Sequence, residues 1–251
     1  MMKNNKGVAS LINFTGIALS ILAGVEISAV AIATPASSKP GSLQLAQNTV
    51  PRRGQPAREV IFYEMDRDEV KICKQAANAS KKCEVIGKGY TFGLRMANDL
   101  YGQGNVANAE ALFRQLIVRF PKQAEAYYKL GAVLSSQDKI DDAIAQYRQA
   151  IERNPQHAKA HNDLAVALAN KSQLDEAITV WRQAIKINGE YADALNNLGM
   201  ALLQQGQKEN QQEAVANLTK ARDLFIKQGK VRQANRIEQI LQQINQEVSD
   251  S

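Results

Sequence analysis

Histidine and cysteine are nearly absent: the chain has two of each in 251 residues. A metal centre normally draws three or four ligands from a pool rich in these types. His157 and His161 are four apart, a spacing that can hold a metal, but no acidic partner completes an HExxH pattern. No metal or other cofactor is expected. Glycine-rich phosphate loops are missing too, and Gly102-Gln103-Gly104 reads as a turn between two helices. There is no GxSxG, and no Cys–His pair with a third member. Asp141-Asp142 and Asp175-Glu176 fall where helices begin, and carboxylates there favour the positive helix end rather than acid–base work. These absences argue against an enzyme.

A basic face is also lacking, despite a net charge of +6. Residues 90–251 carry 19 Lys+Arg against 18 Asp+Glu, while residues 34–89 carry 10 against 6. The body of the chain therefore offers no nucleic-acid footprint. The excess near the N-terminus reads first as a solvated linker and second as weak attraction to an anionic lipid surface.

What is present is a period of 34 residues. Pro121 and Pro155 are one period apart, and Gly189 falls one period further on. The same step links Ala109, Ala143 and Ala177; Phe113, Tyr147 and Trp181; and Met96, Leu130, Leu164 and Leu198. A fixed period of this length means stacked helical units that cannot bury their apolar faces alone. With units starting at Tyr90, Ala124, Ala158 and Ala192, position 8 holds Ala97, Gly131, Ala165 and Gly199. Small residues there let helix backbones approach, and large residues at positions 7, 11 and 24 fill the gaps between ridges.

The runs Tyr127-Tyr128-Lys129-Leu130-Gly131 and Ala143-Ile144-Ala145-Gln146-Tyr147-Arg148-Gln149-Ala150-Ile151 resemble the tetratricopeptide repeat family. The resemblance covers roughly residues 90–248 and implies an all-α superhelix of helix–turn–helix units. Its units are 90–123, 124–157, 158–191 and 192–228, followed by a capping helix and tail over 229–251. Gly93 departs from the family at position 4, where an aromatic is preferred. In the last unit the second helix resumes three residues late, at Ala214, so residues 207–212 read as a lengthened turn.

Ahead of the repeats lie three further segments. Lys3 and Lys6 precede a run without charge from Gly7 to Val25, and Ala31-Ile32-Ala33 has the form of a cleavage site. Residues 1–33 are thus a signal peptide or an uncleaved membrane anchor. Either implies export, to a periplasm or an equivalent lumen, with possible membrane association. Residues 34–58, with Pro35, Pro40, Pro51 and Pro56, form a Pro/Ser-rich linker. Residues 59–89 form a small element of strands or helical turns, and Cys73 and Cys83 within it suit a disulfide in an exported chain.

In proteins similar to this one, first helices line a concave groove and positions 2, 5, 6, 9, 12 and 13 face the ligand. These positions give Arg95, Asn98 and Tyr101; Tyr128, Lys129 and Ser136; Lys159, Asn162, Asp163 and Val166; and Asn196, Asn197 and Met200. Any one of them taken alone is as well read as solvated surface. As a set, amides beside Tyr and Met suit an extended peptide, because each amide pairs with a backbone as donor and acceptor. Some family members clamp a C-terminal carboxylate. Asn98 and Lys159 match that pattern, but Leu94, Lys129 and Asp163 depart from it, so that clamp is not expected. The expected role is a non-catalytic scaffold for a protein or peptide, used in assembling an envelope or membrane complex. The alternative is a membrane-anchored structural component that self-associates through its convex face. The partner's identity and the oligomeric state are left open.

Overall fold

The structure, a computed structural model, describes residues 60–76 and 80–249. The segments read as signal or anchor (1–33) and as linker (34–58) lie outside the described residues. Among the described residues, no helix is long and apolar enough to cross a membrane.

The element ahead of the repeats takes the strand option. β1 (Val60–Asp66), β2 (Glu69–Gln75) and β3 (Lys82–Lys88) form an antiparallel meander in that order. β-branched and aromatic residues such as Val60, Ile61, Phe62, Val70, Ile72, Val85 and Ile86 explain the choice. Cys73 and Cys83 stand directly opposite each other in the β2–β3 ladder and are joined by a disulfide. Val70 and Cys73 of β2 are fully buried.

Nine helices follow among the described residues, eight of them in four pairs. They are α1 (Gly89–Gly102) with α2 (Val106–Arg119), α3 (Ala124–Ser136) with α4 (Ile140–Arg153), α5 (Ala158–Asn170) with α6 (Leu174–Ile187), and α7 (Ala192–Gln205) with α8 (Lys208–Lys227). α9 (Val231–Ser249) packs on α8. The 34-residue step survives in the backbone. Gly104, Asp138, Ser172 and Gly206 occupy equivalent turn positions, and all four are left-handed, with φ of 75°, 61°, 61° and 69°. Glycine takes this conformation freely, whereas Asp138 and Ser172 hold it at some cost.

One element differs from the sequence expectation. Residues 208–212 are not a lengthened turn but the opening of α8, which is 20 residues long where the other second helices have 14. Lys208-Glu209-Asn210-Gln211-Gln212-Glu213 contains no helix breaker, so the three inserted residues are taken up in the helix, which also runs on to Lys227 at its C-terminal end. Packing is undisturbed, because Ala214, Leu218 and Ala221 are still fully buried. An inter-repeat ion pair follows the same shift: Arg148–Glu176 at 2.8 Å recurs as Arg182–Glu213 at 2.7 Å.

In the pairs α3–α4 and α7–α8, a glycine on the first helix meets a large residue on the second. A Cβ at Gly131 would lie 2.6 Å from the Tyr147 ring, and one at Gly199 would lie 2.6 Å from Leu218. Gly93 has a related cause. A Cβ there would meet Leu116 at 2.8 Å and Met65 of β1 at 3.1 Å, so the sheet and α2 fill the space an aromatic would need. α2 also covers the edge of β1. The Asn108 side chain donates to Ile61 O, Gln115 bonds both Tyr63 O and Met65 N, and Arg119 donates to Arg67 O. A polar stripe on one helix thus satisfies alternate backbone groups of an edge strand that would otherwise pair with another chain.

Gly131→Leu should destabilise the array by about 1–3 kcal/mol or more, because Tyr147 is buried and has little room to move. Thermal melting followed by circular dichroism checks this; an unchanged midpoint would contradict the contact.

Candidate functional site

First helices approach one another backbone to backbone across repeats, α1 with α3, α3 with α5 and α5 with α7, whereas second helices stand further apart and meet through long side chains, as in Arg148–Glu176 and Arg182–Glu213. The first helices therefore line the inner, concave side. The outward positions named from the sequence lie along it.

At the N-terminal end, Arg95 stacks over Phe92 at 5.3 Å, Asn98 is half-buried and Tyr101 is exposed. On α3, Lys129 lies 5.3 Å over the Tyr128 ring and pairs with Glu125 at 3.6 Å. Tyr128 in turn packs on the His157 ring at 4.7 Å. His157 caps α5, its Nδ1 accepting from Ala160 N–H at 3.2 Å. In the neutral ring this leaves the proton on Nε2, which faces Glu125 Oε2 at 3.1 Å. The bond from His157 holds the Glu125 carboxyl below its ordinary range, with the Lys129 charge helping and burial opposing. His161 faces the Pro155 carbonyl at 3.0 Å. Both imidazoles therefore have structural partners, with three residues between them.

The centre of the groove is a polar network. Asn162 is only 5 % exposed, the one buried polar residue among those described. Its Oδ1 accepts from Trp181 Nε1 and from Asn197 Nδ2, each at 3.2 Å, and its Nδ2 donates to Asp163 Oδ1 at 2.9 Å. Asn196 donates to Asn197 Oδ1 at 3.3 Å. Asn162 thus faces inward, as the hub that fixes its neighbours, more than it faces a ligand. Asp163, Asn196 and Asn197 are half-buried; Lys159 and Val166 are exposed; Met200 is half-buried against the C-terminal cluster. Burial pushes the Asp163 carboxyl above its usual range. The hydrogen bonds from Asn162 and Tyr128, and the charges of His157 and Lys159, offset only part of that. Burial likewise raises Tyr128, Tyr147 and Tyr191, the last to about 12, and Asp163's charge adds to each.

Tyr147, His157, Trp181 and Tyr191 were not among the candidates read from the sequence. Trp181 carried a signal, since a buried indole N–H needs an acceptor. His157 and Tyr191 stand 34 apart, immediately before a first helix, and that recurrence was a second signal.

Models of the tetratricopeptide repeat match residues 94–135, 133–188 and 180–213. Residues 94–213 are tetratricopeptide repeats, modules that are generally non-catalytic and mediate protein interaction. Among solved structures, a crystal structure of MamA is matched at 26 % identity and a TM-score of 0.51, over 56 % of this chain and 81 % of that one. YrrB, described as a TPR protein with an unusual peptide-binding site, is matched at 24 % identity and a TM-score of 0.49, over 60 % and 74 %. No curated protein sequence matches the chain.

Replacing Asn162 with Leu would strand the Trp181 N–H and the Asn197 amide without their acceptor. The expected loss is about 1–3 kcal/mol, read from chemical denaturation, with Asn162→Asp milder because it keeps an acceptor. Equal stability of Asn162→Leu and the native protein would show that the network does not hold the groove.

Proposed function

We propose that this chain is an exported scaffold that holds an extended segment of a partner protein along its concave face, in the assembly of an envelope or membrane complex. The observation that carries the peptide-binding part is the set of half-buried side-chain amides and tyrosine, Asn98, Tyr128, Asn196 and Asn197, on the first helices α1, α3 and α7. Such groups pair with peptide backbone without demanding one sequence. The convex surface offers less: Arg148 and Arg182 are already engaged in ion pairs between successive repeats. Export is supported by Lys3, Lys6 and the uncharged run to Val25. It is also supported by the Cys73–Cys83 bridge, since disulfides persist in oxidising compartments.

Photo-cross-linking residues placed at Tyr101 or Asn196 should capture a partner polypeptide in the producing cells, and one at Lys186 on the outer face of α6 should not. Asn98→Ala with Asn197→Ala should weaken that complex by about 1–2 kcal/mol or more, with helicity kept. Cross-linking confined to the outer face, to a second copy of the chain, would favour self-association instead. Export is tested apart from this: residues 1–58 fused to a reporter active only outside the cytoplasm should give activity. N-terminal sequencing then distinguishes cleavage after Ala33 from anchoring, and a silent fusion refutes both.

A further inference from the structure

Seven carboxylates among the described residues are half-buried: Glu64, Glu69, Glu110, Glu125, Asp163, Glu213 and Glu238. Six have a cationic partner within the chain. Glu64 pairs with Lys81, Glu69 with Lys71 and Lys88, Glu110 with Arg114 and Lys139, Glu125 with Lys129 and His157, Glu213 with Arg182, and Glu238 with Arg222. Asp163 alone has no cation within ion-pair distance, and the more distant charges of His157 and Lys159 offset only part of its burial. A carboxylate removed from water normally has a cation to offset its desolvation.

Its surroundings are equally unusual. The Asp163 carboxylate is fixed from within α5 by Asn162 at 2.9 Å, and the Tyr128 hydroxyl of α3 interacts with it. Tyr147 and Tyr191 lie close enough to feel its charge. The Tyr128 ring is 6.1 Å from that of Tyr147. A carboxylate accepts about four hydrogen bonds, so two donors leave capacity for a third. Aromatic faces around an anion attract a cation both by charge and by the ring quadrupole.

We propose that Asp163, with Tyr128 and Tyr191, forms a subsite for a cationic side chain, an Arg or Lys of the peptide held in the groove. The proposal rests on the peptide-binding reading of the concave face and names the residue type selected there. It reverses the charge preference of a carboxylate clamp: the groove centre presents an anion to its ligand. Lys159, exposed one turn earlier on α5, competes for the same carboxylate rather than assisting.

The test uses the full mature chain and two short blocked peptides of Gly, Ser and Ala. One has a central Arg, and its twin has citrulline, which keeps the shape and loses the charge. Amide chemical shifts of the labelled protein report position, and titration reports affinity. The Arg peptide should bind about tenfold tighter than its twin, shifting the amides around Tyr128, Asp163 and Tyr191. Asp163→Asn should abolish that preference while its melting midpoint stays at or above the native value, since a desolvated charge is removed. Lys159→Ala should keep or enlarge the preference. If both twins bind the groove equally, the cationic subsite is wrong while the peptide-binding reading stands. A preference that survives in Asp163→Asn, or one that vanishes in Lys159→Ala, also overturns the subsite. If neither peptide moves a groove amide at millimolar concentration, the subsite fails, and in vivo cross-linking then decides the groove reading on its own.

Discussion

The close approach of paired helices is the constraint on which the rest of this structure depends. Where Gly131 faces Tyr147 and Gly199 faces Leu218, a first helix settles against a second helix at a separation that admits no added methyl group. That separation sets how deeply the second helices pack, and so how closely successive first helices meet. The groove is a by-product of this packing. Its width and the spacing of its side chains follow from residues that never touch a ligand.

The same logic explains the ends of the array. At the N-terminus the first helix pair would leave one flank bare, and the β-meander covers it. Gly93 gives up the larger side chain that the other repeats carry there (Tyr127, His161 and Leu195), and Met65 reaches the space from β1. Polar residues of α2 then engage the free edge of β1, so the cap is joined by hydrogen bonds as well as by apolar contact. At the C-terminus α9 buries Ala234, Ile237, Leu241 and Ile244 and turns glutamine to solvent.

The repeat register was legible in the sequence because it is written several times over, in columns that agree: Gly131, Tyr147, Leu130 and their equivalents each recur at 34. What occurs once was not. The residues 60–88 could be strands or helical turns, since runs as short as Val70-Lys71-Ile72 fit either period. The three-residue insertion before Ala214 was read as turn because an insertion is easier to place in a loop. The residues involved are helix formers, and a helix can lengthen beyond its partner at no cost in packing. In the groove, position numbering gives a face but not a depth. Asn162 holds an outward position and yet turns inward, because Trp181 brings a buried N–H within its reach. Phe113, at the equivalent place of the first repeat, carries no polar atom and makes no such demand.

Trp181 is the only tryptophan in the chain, and its indole nitrogen is bonded to the side chain that also holds Asp163 and Asn197. Indole emission responds to the polarity and hydrogen bonding around that nitrogen. The molecule therefore carries its own optical reporter one residue behind the groove surface, shielded from solvent and silent to events elsewhere on the array. Any occupant that draws Asp163 or Asn197 toward itself must pull on Asn162, and the colour of a single buried ring would record it without a label.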